Sequence, residues 1–174
     1  MKFNSKVLLA TTAIFLTIPA SDANAQAIRH QQSVRTGPGR VSASRRTIVT
    51  GAMGTAGRRA TNTVMQDGTV THRSGSVVHG PNGQRVARAG RTQFNPDGSV
   101  SHDGGFKATG ENGTITSTGS SQRGTDGSAS AQRNTTATGK NGKTYEGTTT
   151  WQKGEGVQHT STCTDSSGHG IPCK

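Results

Sequence analysis

The chain has 174 residues, of which 27% are hydrophobic and 3% aromatic, and it carries a formal net charge of +11 at pH 7. Glycine alone accounts for 25 residues. This composition excludes a compact domain with a large apolar core, and the excess of cations favours anionic partners.

Residues 1–25 have the organisation of a cleavable export signal. Lys2 and Lys6 form a positively charged start, residues 7–18 form a short apolar run, and Ala23 and Ala25 supply the small residues that a signal peptidase recognises. Crossing a bilayer takes about 20 apolar residues, so this run is too short for a membrane anchor. We expect cleavage after Ala25 and export to the periplasm, the cell surface or the medium, with no integral membrane segment in the mature chain.

The segment 26–60 is basic and contains no carboxylate. Its cations are seven arginines: Arg29, Arg35, Arg40, Arg45, Arg46, Arg58 and Arg59. Guanidinium groups pair with phosphate and carboxylate through a planar fork, so these residues are a candidate site for a polyanion such as an anionic glycan or lipopolysaccharide. The lack of helical periodicity predicts a disordered arm. Pro38-Gly39 and Met53-Gly54 nevertheless fall on the repeat interval described next, which indicates degenerate repeats back to residue 36.

Residues 61–160 form a repeat region in which an Asx-Gly or Glx-Gly pair recurs. The pairs begin at Asp67, Asn82, Asp97, Asn112, Asp126, Asn141 and Glu155, in steps of 14 or 15 residues. Such pairs tolerate the positive φ values that two-residue hairpin loops need. A second set of glycine or small-residue breaks lies about halfway between them, for example at Ala89-Gly90 and Gly104-Gly105. Each unit is therefore expected to contain two strands of five or six residues.

The residues after the turns alternate hydroxyl and apolar side chains, as in Thr69-Val70-Thr71 and Ser99-Val100-Ser101. This alternation predicts a sheet with one apolar and one hydroxyl face. The predicted fold is all-β, a repetitive antiparallel β-meander of short hairpins that is extended and thin. A β-solenoid and a largely disordered chain are the alternatives, but a solenoid needs an apolar column that no position of the repeat provides. The Asp-headed units resemble one another most, which adds a 30-residue super-period.

Residues 161–174 contain the only two cysteines, Cys163 and Cys173. In an exported chain, two cysteines that enclose a short polar segment predict a disulfide that closes a C-terminal loop. His159 and His169 interleave with them, so a zinc site is the alternative, although the spacing matches no zinc-finger pattern.

No catalytic motif is present, and neither an enzyme nor a cofactor is predicted. Turns such as Gly80-Pro81-Asn82-Gly83 resemble those of exported bacterial repeat proteins, a likeness of composition that covers residues 61–157. We expect a structural, adhesive or surface-binding role, with self-association as one form of it. The alternatives are polyanion binding through the arginines of residues 26–60 and ice- or crystal-surface binding through Thr-x-Thr triplets at Thr69, Thr114 and Thr148. Specific nucleic-acid binding is not favoured, because the basic segment lacks aromatic residues.

Overall fold

A computed structural model describes residues 27–173, and the predicted export signal lies outside them. The described chain forms one open sheet of eleven antiparallel strands, each paired with the strand before and after it in the sequence. The strands are β1 (Ala27–Gly37), β2 (Arg40–Gly51), β3 (Gly54–Met65), β4 (Val70–His79), β5 (Arg85–Phe94), β6 (Val100–Gly110), β7 (Gly113–Arg123), β8 (Ala129–Gly139), β9 (Thr144–Gln152), β10 (Gly156–Thr164) and β11 (Gly170–Ile171). The predicted antiparallel meander is confirmed.

The strands are longer than the halfway breaks predicted. β1 to β10 contain 9 to 12 residues each, so a 15-residue unit holds one strand and one turn. The halfway glycines lie inside strands, where Gly90 pairs with Gly104 and Gly104 pairs with Gly119. Glycine keeps its backbone donor and acceptor, so it can continue a hydrogen-bond ladder without turning the chain. The prediction of strands of five or six residues is therefore wrong.

Most of the Asx-Gly pairs lie in three-residue loops rather than in the predicted two-residue loops. Five of these loops, and also the loop that ends at Gly168, close with a backbone hydrogen bond between the flanking residues, as from Asn95 N–H to Ser99 C=O at 3.0 Å, and end in a glycine with φ between 76° and 87°. A three-residue hairpin loop needs a left-handed residue at this third position, which glycine adopts without strain. The Asx side chain adds a bond to the backbone, as from Thr69 N–H to Asp67 Oδ1 at 2.9 Å.

The 30-residue super-period follows from the meander. Successive turns lie at opposite ends of the strands. The turns with Asp67, Asp97 and Asp126 therefore lie at one end of the sheet, and those with Asn82, Asn112 and Asn141 lie at the other. One step from Asn112 to Asp126 is 14 residues long because the loop between β6 and β7 has only two residues, enclosed by the pair Gly110 and Gly113. Two strands and two turns are thus the true repeat of the chain.

The basic segment that was predicted to be a disordered arm instead forms the first strands of the sheet. Residues 27–60 fall almost wholly in β1, β2 and β3, which pair along their full lengths. The turns at Pro38-Gly39 and Ala52-Met53 follow the same interval as the later ones, as the degenerate repeats indicated. The prediction failed because the lack of helical periodicity was taken as a sign of disorder, although it is equally compatible with strands, and a long arginine side chain on an exposed sheet face leaves the backbone ladder intact.

The two faces of the sheet differ in chemistry, as the alternation predicted. Direct cross-strand pairing joins Val41, Val64, Val70, Phe94 and Val100 in one column, on what we call the apolar face. The next column lies on the opposite side, which we call the hydroxyl face, and it consists of Ser42, Thr63, Thr71, Gln93 and Ser101. Within the described residues no hydrophobic side chain is buried, so the sheet is a single layer without a core.

The last strand is attached by the predicted disulfide. Cys163 in β10 is bonded to Cys173, and the two-residue strand β11 pairs only with Cys163 and Thr164. Because both cysteines are in this bond, the alternative zinc site with His159 and His169 has no thiolate ligands. Among residues 27–173, no helix has the length and apolar character needed to cross a membrane.

Hydrogen bonds in two of the aspartate turns stabilise the ionised carboxylate. The Ser99 hydroxyl and the Ser99 backbone N–H donate to Asp97 Oδ1 at 2.7 and 2.8 Å, and they hold the pKa of Asp97 below its usual value. The hydroxyl and backbone N–H of Ser128 lower the pKa of Asp126 in the same way. A depressed folded-state pKa contributes stability that is present above the unfolded-state pKa, about 3.9, and is lost as the pH falls through the folded-state value.

Replacing Ser99 by alanine is expected to raise the pKa of Asp97 towards its ordinary value, because the hydroxyl that contributes most to lowering it is removed. An NMR titration of the Asp97 carboxyl carbon measures this change. Ser101→Ala, two residues further along the chain, is the control and should leave the titration unchanged. An unaltered Asp97 pKa in Ser99→Ala would contradict this description of the turn.

Candidate functional site

The positive charge is concentrated in the first half of the sheet. Residues 27–94, which contain β1 to β5, carry eleven arginines and one carboxylate, Asp67. Residues 95–173 carry six lysines and arginines and seven carboxylates, so their charges nearly cancel. The basic region therefore extends beyond the predicted segment 26–60 and includes β4 and β5.

Most of these arginines project from the hydroxyl face. Cross-strand register and strand alternation place eight of the eleven there: Arg29, Arg35, Arg40, Arg46, Arg59, Arg73, Arg85 and Arg91. Five of the seven predicted residues are in this group, whereas Arg45 and Arg58 lie on the apolar face. Arg73, Arg85 and Arg91 were missed because they lie outside the segment without acids. Their position at alternate residues of regular strands is the signal that could have identified them.

Four of the arginines form a row across four consecutive strands. Arg46 of β2 lies directly opposite Arg59 of β3, and Arg73 of β4 lies directly opposite Arg91 of β5. Arg59 pairs with Gly75, two residues from Arg73, so the two pairs meet diagonally on the same face. Neighbouring strands lie about 4.8 Å apart, and the arginine row therefore spans roughly 14 Å.

The guanidinium groups of the arginine row have no anionic partner. All eight arginines of the hydroxyl face are exposed, and the one salt bridge among residues 27–173 joins His169 and Asp165, far along the chain. Asp103 is directly opposite Arg91, but no carboxylate oxygen approaches Arg91 within salt-bridge distance, and its guanidinium donates instead to Gln93 Oε1. The row is thus an uncompensated array of donors that an external anion can neutralise.

Rows of hydroxyl groups lie beside the arginine row. Ser33 and Ser44 share a hydrogen bond of 2.9 Å, as do Ser42 and Thr63, and these pairs bridge β1 to β2 and β2 to β3. Cross-strand hydroxyl pairs stabilise a sheet and restrict the rotamers of both side chains. Together they give a polar surface on which the guanidinium groups are the charged elements.

Phenylalanine, tyrosine and tryptophan side chains are absent from the hydroxyl face throughout the described strands. Register places Phe94, Phe106, Tyr145 and Trp151 on the apolar face. The Thr-x-Thr triplets at Thr69, Thr114 and Thr148 do lie on the hydroxyl face. They occupy different positions along their strands, so they form no aligned array. Residues 27–173 also contain no cluster of three or more side chains suited to holding a metal ion.

Comparison with known proteins identifies no relative, since no family model, curated protein or solved structure matches this chain.

The like-charged pair Arg46 and Arg59 should cost stability in the absence of an anion. Arg46→Gln is expected to raise the free energy of unfolding by about 0.3 kcal/mol at low salt, because like charges directly opposite one another repel. The gain should disappear near 1 M salt, where screening is nearly complete. Urea unfolding at both salt concentrations measures it.

Arg45→Gln is the matched control, because its cross-strand neighbours are the uncharged Gln32 and Ala60. Equal effects of the two substitutions at low salt would show that Arg46 and Arg59 are not held opposite one another.

Proposed function

We propose that the protein is an exported, non-catalytic surface-binding protein whose arginine row holds a linear anionic glycan. The observation that carries the proposal is the unpaired arginine row, Arg46, Arg59, Arg73 and Arg91, on an exposed face. Charge-assisted hydrogen bonds from arginine to carboxylate or sulfate are among the strongest that a protein surface makes. Because the donors repeat from strand to strand, they suit a ligand whose charges also repeat.

The surroundings of the row favour a glycan over a nucleic acid. Single-stranded nucleic acids are bound by basic grooves that also present aromatic side chains for base stacking. On the hydroxyl face the arginines are flanked by serine and threonine instead, as in the pairs Ser33–Ser44 and Ser42–Thr63. Hydroxyl groups can donate to and accept from sugar hydroxyls and ring substituents.

Binding rather than catalysis is consistent with the chemistry of the described residues. Two carboxyl groups, those of Asp97 and Asp126, have a lowered pKa because they accept hydrogen bonds within the turns that connect strand ends. Neither lies on the face that carries the arginine row, and both are acceptors in a structural role.

Binding to polygalacturonate should be tight at about 50 mM salt and should weaken steeply by about 200 mM, as for other polyelectrolyte ligands. Arg59→Gln/Arg73→Gln is expected to weaken binding about tenfold, since two charge-assisted contacts are removed from the centre of the row. Isothermal titration calorimetry or biolayer interferometry on immobilised glycan measures the affinity, with neutral dextran as the negative control.

The matched control is Arg45→Gln/Arg58→Gln, which removes the same charge from neighbouring strands but from the apolar face. This variant should lose much less affinity than Arg59→Gln/Arg73→Gln, because guanidinium groups on the apolar face cannot form hydrogen bonds to a ligand on the hydroxyl face. Equal losses in the two double variants would contradict the proposed site. Equally tight binding of oligothymidylate would show that the arginine row binds polyanions in general and does not prefer a glycan.

Export is expected to follow the signal in residues 1–25. Expression of the full chain in a Gram-negative host should give a mature protein whose N-terminal sequence begins at Gln26, whereas Ala23→Leu/Ala25→Leu should accumulate the uncut precursor. Edman sequencing of the periplasmic and culture fractions measures both. Recovery of the parent protein in the cytoplasm with Met1 retained would contradict export.

A further inference from the structure

The apolar face contains a groove, on the side of the sheet away from the arginine row. It has a volume of about 980 Å³ and crosses β3 to β9. Its floor is a line of glycines, because Gly90, Gly104 and Gly119 occupy the same position on three neighbouring strands. A Cβ atom at Gly104 would lie 3.2 Å from the Ala89 carbonyl oxygen, and one at Gly119 would lie 2.9 Å from that of Gln132. The groove thus exists because three successive strands lack a side chain there, and the imidazole of His102 lies against Gly90 and Gly104.

The walls of the groove carry positive charge and no negative charge. Arg58, Arg88 and Arg133 line it, and all three are exposed and unpaired with any described carboxylate. Of the eight carboxylates in residues 27–173, six lie in loops, and the remaining two, Asp103 and Glu146, project from the hydroxyl face. All charged side chains on the strands of the apolar face are therefore cationic, and an anion in the groove would meet no carboxylate there.

Two bands of exposed or half-buried apolar side chains border the central, basic part of the apolar face. One band crosses the strands near the ends that carry the turn at Asn82, and it consists of Ile28, Val49, Val78, Val86, Ile115 and Tyr145. The other crosses the strands near their opposite ends, which carry the turn at Asp67, and it consists of Val41, Val64, Val70, Phe94 and Val100. Val86 belongs to the first band and also lines the groove, with Phe106 and Trp151. Ten of the twelve large hydrophobic side chains that are exposed lie on this face.

We propose that the groove binds one anionic amphiphile, a molecule with a phosphate or carboxylate head and an alkyl chain. The head would accept hydrogen bonds from Arg88 and Arg133, and the alkyl chain would cover Trp151, Phe106 and the adjoining apolar band. A second copy of the chain is a poorer occupant, because face-to-face packing would oppose arginines to arginines without a carboxylate from either copy. The inference is independent of glycan binding, which uses the other face.

Trp151 is the only tryptophan in the chain and is 38% exposed, so its fluorescence reports directly on the groove. Titration with dodecyl phosphate, below its critical micelle concentration, should shift the Trp151 emission to shorter wavelength and saturate. Dodecylphosphocholine, with the same chain and no net charge, should bind at least about tenfold more weakly, because the charge-assisted contacts are opposed by its ammonium group. Inorganic phosphate should leave the emission unchanged. Octyl phosphate should bind much more weakly than dodecyl phosphate, at up to about fourfold per lost CH₂.

The variants separate the two faces. Arg88→Gln/Arg133→Gln should weaken dodecyl phosphate binding at least about tenfold and leave polygalacturonate binding unchanged. Arg73→Gln/Arg91→Gln removes the same charge from the hydroxyl face. This variant should weaken polygalacturonate binding and leave dodecyl phosphate binding unchanged. Circular dichroism of each variant verifies that the sheet is retained.

Three outcomes would overturn the inference. Equal binding of dodecyl phosphate and dodecylphosphocholine would show that the groove arginines do not select the head group. Equal weakening in the two double variants would show that the binding site is not the groove. A dimer in sedimentation whose Trp151 emission is already shifted and insensitive to dodecyl phosphate would show that a second copy covers the face.

Discussion

Cross-strand pairing is the interaction on which the whole structure depends. The sheet has no second layer and no buried hydrophobic side chain in residues 27–173, so each strand is stabilised by the backbone ladders and side-chain pairs that it forms with its two neighbours. The loops then have to preserve register across ten connections, because a slip of one residue would move every side chain of a strand to the other face. Glycine at the left-handed position of the three-residue loops, as at Gly98, supplies that precision.

Register also explains how a chain with few distinctive residues acquires two surfaces. Strand alternation sends most of the hydroxyl residues and most of the arginines of β1 to β5 to one face, and most of the valines and Phe94 to the other. In a globular domain the apolar face would be covered by another layer of secondary structure. Here both faces remain accessible, and two ligands of different chemistry can be accommodated on opposite sides of one layer. The proposed glycan and amphiphile sites follow from this division.

The Asx-Gly interval was sufficient to predict an antiparallel meander and the chemistry of its faces, because turn residues and alternation act locally. The halfway glycines misled the prediction, since a glycine such as Gly104 is compatible with a turn and with a ladder position beside another backbone. Only the pairing of Gly90, Gly104 and Gly119 on adjacent strands distinguishes these possibilities, and pairing is not local. The same limit applies to the site, because Arg59 and Arg73 become neighbours only once β3 and β4 are in register.

Amide hydrogen exchange at the halfway glycines tests the single-layer, full-length-strand architecture most directly. Each of Gly90, Gly104 and Gly119 lies inside an interior strand with a paired neighbour on both sides, and its amide should exchange orders of magnitude more slowly than that of Gly83, which lies in a loop. NMR-detected exchange of the folded protein measures all four amides in one experiment. Exchange at Gly90, Gly104 and Gly119 as fast as at Gly83 would show that the chain turns at these glycines and would contradict the account.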